Sequence, residues 1–322
     1  MTAIFLSVPV NKIDCCDTTF CCSYPVYNKM LEQSVALYGI LSPLVVRKTK
    51  DSYRIISGFR RLCVVRNLNI ASVGVLVSEL DGLTAFRCAV TENLTHRQYN
   101  IFEVLIIIRK LATYFSVAHD DIIKDYLPLL GYHPHRRVLD NLLILCKLTQ
   151  SQTERLYNGG VEKDKILLLS LVDMEAWDTF IDILINLKPG INKINQIIQL
   201  IREIAQREKS SVKTVVEHTS IQEILNDTTR TAPQRLNLLR SLLFRWRNPH
   251  LSSVEDEIKK RYNKLSLNKN MKLFLPPACE GDTFRIELSF RTKDELSRCA
   301  EIMTVFSQDK RTADLIDYIK DL

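Results

Sequence analysis

Tyr53-Arg54-Ile55-Ile56-Ser57-Gly58-Phe59-Arg60-Arg61 is a short β-branched strand that runs into a glycine and then presents two guanidinium groups. A glycine at that point lets the backbone turn, or approach a ligand closely, with no Cβ in the way. The two arginines supply planar, permanently charged donors suited to phosphate oxygens. This is the local chemistry of a phosphate cradle, and it is also that of an exposed turn with solvated arginines. The sequence on either side separates the two.

Upstream, Ile4 to Val10 alternates as an edge strand does, and Pro9 is tolerated at an edge. The apolar stripe of Lys29 to Leu37 predicts a helix that Tyr38-Gly39 stops. Pro43 to Arg47 reads as a strand, Lys50-Asp51-Ser52 as a turn, and Tyr53 to Ile56 as the hairpin partner. Downstream, a helix is predicted over Leu62 to Leu68, a strand over Val73 to Val77 and a helix over Leu83 to Glu92. The arginine pair therefore falls at a strand-to-helix junction, where backbone N–H groups and the positive helix end point at an anion.

The middle of the chain is helical. Ile101 to Phe115 is strongly apolar, and Asp120 to Gly131 has acids in its first turn and stops at glycine. A turn through Tyr132, His133 and Pro134 leads into a helix that begins His135-Arg136-Arg137. Such a pair reads as a helix-turn-helix, with His135, Arg136, Arg137 and Asn141 as candidate readers of base edges, or as an αα-hairpin with exposed arginines. Further helices are expected over Lys163 to Leu187 and Ile194 to Glu208.

Net charge is +7, and Arg230 to Lys272 alone holds eleven basic residues against three acids. That favours a polyanionic partner. Arg235, Arg240 and Arg245 step around their helix, which is expected to break near Pro233, so their role reads as diffuse. A charged helix over Val254 to Leu265 precedes two strands, Met271 to Leu275 and Thr283 to Phe290, around a turn over Pro276 to Asp282. A helix starting near Asp294 and Glu295 completes a ββα unit. A lone hairpin is marginal in water, so the helix or a second copy must cover it.

At 322 residues, with 46% hydrophobic and 25% charged residues, the chain has the composition of a globular protein of two or three domains. No apolar run of about 18 residues suggests a membrane span, and no secretory leader is read at the start, so a cytoplasmic location is expected. The nine cysteines are read as reduced thiols. Cys15-Cys16 and Cys21-Cys22 lack the gap that lets two thiolates converge on zinc.

Three stretches carry a resemblance: Gly39-Ile40-Leu41-Ser42-Pro43-Leu44-Val45-Val46, then Ile56-Ser57-Gly58-Phe59-Arg60-Arg61, then Glu92-Asn93-Leu94-Thr95-His96-Arg97 with Asn100 and Glu103 beyond. In order and spacing they resemble the conserved boxes of the ParB and sulfiredoxin-like superfamily. The resemblance implies a pocket that binds CTP with Mg2+. Gly58, Arg60 and Arg61, with Gly39 and Asn93, would hold the nucleotide. Glu92 would act in catalysis, and Glu92 and Asn93 would lie near the metal. Phe59 stands where ParB proteins usually carry glutamate, and His96 stands where the third box has arginine, with Arg97 displaced by one. Both departures remove transition-state help before they remove the phosphate cradle, so binding is expected ahead of slow CTP hydrolysis.

The family also implies an order of parts within an α+β chain. These are a small mixed nucleotide-binding domain over 1–100, a helix-turn-helix domain over 101–215, a basic helical linker over 216–265 and a ββα dimerisation unit over 266–322. The leucine-rich Leu143 to Leu148 and the Asn158-Gly159-Gly160 turn resemble the family's DNA-binding unit. The expectation is a nucleoid-associated homodimer on double-stranded DNA, a CTP-dependent clamp or partition factor. A ParA-type ATPase partner is weakened by the short stretch before the first strand. The alternatives are a ParB-fold enzyme, either a nuclease or a nucleotide-dependent phosphotransferase, and a transcriptional regulator without turnover. A sulfiredoxin would place cysteine beside the glycine, where this chain has Phe59.

Overall fold

The structure is a computed structural model that describes residues 4–265, 267, 271–276 and 283–320. Its first part is a five-stranded mixed sheet of β1 (Ile4–Pro9), β2 (Ile13–Asp14), β3 (Leu44–Lys48), β4 (Tyr53–Ser57) and β5 (Ser72–Val77), in the order β1-β5-β3-β4-β2. β1 is an edge strand, and β3 and β4 form the expected antiparallel pair. The parallel pairing of β3 with β5 needs a crossover, and α2 (Phe59–Asn67) supplies it, following α1 (Lys29–Tyr38) in chain order.

The sheet is covered on both faces, which explains the run of apolar residues in β4. Ile55 faces a core with Leu44, Val46 and the α2 residues Leu62 and Val65. Ile56 faces the other way, against Phe86, Ala89 and Val90 of α3 (Gly82–His96). That second core continues without interruption into the helical part of the chain.

The helical part comprises α4 (Ile101–Arg109), α5 (His119–Asp121), α6 (Leu127–Leu129), α7 (Arg136–Leu145), α8 (Gln150–Asn158), α9 (Lys163–Leu167), α10 (Trp177–Asp182) and α11 (Ile191–Glu208). π-helical turns at Lys110–Tyr114, Ile122–Tyr126 and Ile183–Leu187 interrupt the longer predicted helices. The segment expected as a linker from 216 is packed instead. After α12 (Val212–Val216), α13 (Thr219–Asn226) and α14 (Ala232–Arg247) place Ile221, Leu225, Leu236, Leu239 and Leu243 in the same core. The expected break near Pro233 falls just before it, because proline fits the first turn of α14.

α15 (Pro249–Asn263) leads to the hairpin of β6 (Met271–Phe274) and β7 (Arg285–Leu288), then α16 (Lys293–Gln308) and α17 (Lys310–Lys320). Ile258, Leu273, Leu315 and Ile319 close this unit around their own core. The expected single helix is two, because Asp309 ends α16 and its carboxylate accepts from the Arg311 N–H at 2.9 Å to start α17. Of the expected turn over Pro276 to Asp282, residues 277–282 lie outside the described residues.

One buried carboxylate ties the sheet part to the helices. Glu103 is fully buried. It lies in the first turn of α4 and forms a capping box with Asn100, whose Oδ1 accepts from the Glu103 N–H at 3.0 Å. Its Oε1 accepts from Arg60 Nη2 at 3.1 Å, Arg97 Nη2 at 2.7 Å and the Tyr24 N–H at 3.1 Å. Its Oε2 accepts from Arg97 Nη1 at 2.6 Å and the Asn100 N–H at 3.0 Å. Removing one partner from a buried ion pair costs about 3–5 kcal/mol because the other charge stays buried. Glu103→Gln is expected to lower stability by about 3 kcal/mol, read from the urea midpoint. A loss below about 1 kcal/mol would show that the two arginines do not depend on this charge.

Candidate functional site

β4 ends at Ser57, and Gly58 makes the turn into α2 at φ 102°, in the left-handed region that favours glycine. A Cβ there would lie 3.2 Å from both Leu44 Cγ and Arg61 Nε. Because Gly58 completes the turn by itself, α2 begins at Phe59, ahead of the expected Leu62, and both arginines fall in its first turn. Gly58 offers no side chain to cap α2, and that first turn holds no acid. Its free N–H groups and positive helix end are therefore left for an anion.

These residues line a cleft of about 290 Å³ together with Glu92 and Asn93. Five of the six expected nucleotide and metal residues, Gly58, Arg60, Arg61, Glu92 and Asn93, are thus brought together. Gly39 is not among the residues lining the cleft and ends α1 at φ 72°.

Arg61 joins the three boxes. Its Nη1 donates to the carbonyls of Ser42 at 2.9 Å and Pro43 at 2.7 Å, and its Nη2 lies 3.7 Å from Glu92 Oε1. Burial pushes its guanidinium below the ordinary value, with Glu92 opposing the shift. The other Glu92 oxygen accepts from Ser57 Oγ at 2.6 Å, so the carboxylate is held at the end of β4. Asn93 Nδ2 donates to the Ala89 carbonyl of its own helix at 2.8 Å. Arg60 is fixed from behind by Glu103 and by the Pro25 carbonyl at 3.1 Å. Its pKa is lowered by burial and by the nearby Arg97 charge, with Glu103 acting the other way.

Among the described residues, no three His, Cys, Asp or Glu side chains are arranged to hold a metal ion. Those residues alone offer no cation cage. A hydrated Mg2+ carried by phosphates needs only one or two protein ligands, and Glu92 is a carboxylate placed for that. Phe59, in place of the family's glutamate, packs between the two cores, while the His96 side chain lies outside the described residues. Arg97 does not reach the cleft lining and spends its fork on Glu103, whose hydrogen bonds raise its pKa.

The second candidate surface is the start of α7. Gly131 ends the preceding helix at φ 78°. His135 caps α7, its Nδ1 accepting from the Arg137 N–H at 3.1 Å, which leaves Nε2 as the ring's donor. Leu139, Leu142 and Leu145 face the core, so Arg136 and Arg137 stand out on the exposed side with Asn141 half-exposed beside them. Arg136 Nε donates to Asp140 at 3.0 Å, which offsets part of its charge, and Arg137 remains exposed.

Ser57, Arg97 and Glu103 are site-supporting residues to which the sequence assigned no role. Only Glu103 carried a signal, the Asn100-x-x-Glu103 capping pattern. The basic C-terminal segment is largely engaged within the chain. Arg235 donates to the carbonyls of Leu225 and Asn186, Arg240 to Gln196 and Arg247 to Glu203, while Arg245 pairs with Asp256 and Arg261 with Asp314.

Residues 28–94 match the ParB N-terminal domain family. The chromosome-partitioning protein ParB of Myxococcus xanthus is 31% identical over 94 residues, which is 29% of this chain and 32% of that relative. The stage 0 sporulation protein J of Bacillus subtilis is 25% identical over 190 residues, 58% of this chain and 65% of that relative. The chain thus spans less than two thirds of each of these relatives. A C-terminally truncated ParB of Caulobacter crescentus, solved with CTP-gamma-S, is 18% identical and covers 55% of this chain and 99% of its own, at a TM-score of 0.24. That score is too low for the likeness to bear on this fold. Residues 28–94 are thus a ParB N-terminal domain by the family they match.

Proposed function

We propose that the chain is a ParB-type partition factor whose first cleft binds CTP with Mg2+ and whose α7 reads duplex DNA. The observation that carries the nucleotide reading is the meeting of the three boxes at Arg61, beside the uncapped start of α2. Arg60 and Arg61 answer phosphate charge, Gly58 admits the close approach, and Glu92 with Asn93 receives the magnesium. Binding is favoured over turnover because Phe59 brings no acid to the cleft. A nuclease or phosphotransferase needs several converging carboxylates, whereas Glu92 is the acid among the described residues lining this cleft. Nucleotide that draws Arg60 forward competes with Glu103 and so biases how the two parts sit, a coupling of two binding energies.

Calorimetry with CTP and Mg2+ tests the cleft. Charge-assisted hydrogen bonds contribute about 1.5–3 kcal/mol each, so Arg60→Ala or Arg61→Ala is expected to weaken CTP by about tenfold or more. A folded wild-type chain that takes up no CTP, with or without DNA, overturns the reading.

For the DNA surface, genomic fragments recovered with the protein supply the duplex probe. Arg137→Ala is expected to cost about 1–3 kcal/mol of specific affinity, and Arg136→Ala less, because Asp140 already engages it. Equal binding by wild type and the Arg137 variant places the contact elsewhere.

A homodimer is proposed through the C-terminal unit, where Phe290, Leu296 and Val305 are exposed, Val305 at 70%. Sedimentation of the full chain is expected to give a dimer that Val305→Glu converts to monomer. A wild-type monomer at micromolar concentration overturns the assembly.

A further inference from the structure

Phe59 is a shared wall. On one side lies the arginine cleft, and on the other a second cleft of about 450 Å³ lined by Cys15, Cys21, Cys63, Leu62 and Arg66. Three thiols from two separate segments of chain therefore converge on one concavity that also holds a cation. The Cys15 Sγ lies 4.0 Å from the Cys16 Sγ. Asp14 builds the turn that presents them, its Oδ1 accepting from the Cys16 N–H at 2.9 Å and the Asp17 N–H at 3.2 Å. The far end of the same loop is anchored by Lys110, whose Nζ donates to the Thr19 carbonyl at 3.0 Å and the Cys21 carbonyl at 2.7 Å.

Metal capture does not fit, since no metal-holding arrangement of three such side chains occurs among the described residues. What the cleft offers is a half-buried thiol beside a second thiol and a guanidinium. We propose that it is an S-thiolation site, in which Cys15 takes up one half of a small, carboxylate-bearing disulfide and Arg66 holds the carboxylate. The Cys15 thiolate attacks one sulfur of that disulfide. A new S–S bond forms to Cys15, the original S–S bond breaks, and the departing thiolate takes up the proton that Cys15 gave up. Cys15 is oxidised and the small disulfide is reduced, with no further oxidant needed.

Cys15 is the attacking sulfur for two reasons. It lines the cleft, whereas Cys16 is exposed outside it. The Cys16 thiol is also pushed above its ordinary value, by its hydrogen bond and charge interaction with Cys15 and by the nearby Asp14 carboxylate. The adduct persists because Cys16 is a poor resolving thiol. Neighbouring Cα atoms stand about 3.8 Å apart, which is shorter than the range of about 4.4–6.8 Å that a disulfide prefers. The consequence falls on α2, which carries both Cys63 and Phe59 one turn apart. An adduct filling this cleft presses on Phe59 and on the helix start that faces the arginine cleft. That last step rests on the nucleotide reading, and the adduct itself does not.

The test uses the full reduced chain incubated with glutathione disulfide and read by intact mass and peptide mapping. The expected result is one glutathionyl group, on Cys15, that is absent in Cys15→Ser and present in Cys16→Ser. Arg66→Met is expected to slow the reaction by about three- to tenfold through lost electrostatic attraction. The same variant is expected to react unchanged with the uncharged 2-hydroxyethyl disulfide. An adduct confined to the exposed Cys16 or Cys88, or an internal disulfide to Cys63, overturns the proposal. In a chain that binds CTP, glutathionylation is expected to weaken that binding. An adduct at Cys15 with unchanged CTP affinity overturns the coupling through Phe59.

Discussion

The Glu103 carboxylate is the constraint on which the arrangement of this protein depends. A fully buried charge must be answered by donors from all sides, and here the donors come from four places in the chain: the Tyr24 N–H, Arg60 on α2, Arg97 after α3 and the N–H of Asn100. Apolar packing could hold α3 against α4, but packing is tolerant of small shifts. Five directed hydrogen bonds to one carboxylate are not. They set where α4 begins relative to the arginine turn, and so the pose of the whole helical part against the sheet.

The same economy is seen at Arg61. Its guanidinium spends one nitrogen on two backbone carbonyls and turns the other toward Glu92, so a single side chain fixes the entry to β3, the start of α2 and the middle of α3 relative to one another. A cleft assembled this way is formed before any ligand arrives, which lowers the ordering cost of binding. The absence of a side-chain cap at Gly58 follows the same logic, since a serine or aspartate there would satisfy the N–H groups that an anion needs.

Much of this was legible in the sequence. The glycine between a β-branched strand and two arginines marked the turn, Lys50-Asp51-Ser52 marked the hairpin, and the apolar run from Ile101 marked a helix. What could not be read was partnership across distance. Nothing local in Glu103 says that Arg60 will reach it from 43 residues away. The crossing of β3 to β5 and the sharing of one core by α3 and Leu243 are likewise products of long-range packing. The π-helical turns were missed because their apolar spacing differs little from that of an ordinary helix. α17 was missed because the charged Asp309-Lys310-Arg311 reads as helix surface, although its aspartate ends one helix and starts the next.

The internal engagement of the basic C-terminal segment has a consequence for salt. Its formal excess was counted over Arg230 to Lys272, but several partners lie outside that window: Asp227 for Arg230, Glu203 for Arg247 and Asp314 for Arg261. A guanidinium already facing a carboxylate has little condensed anion of its own to exchange, and it must leave its partner to meet a phosphate. On DNA, the release of counterions that makes affinity fall with ionic strength counts only the phosphates actually neutralised. For the proposed DNA binding, the ionic-strength slope should therefore follow the cations that face no carboxylate, Arg137 among the described ones, and be shallower than a pI near 8.9 suggests.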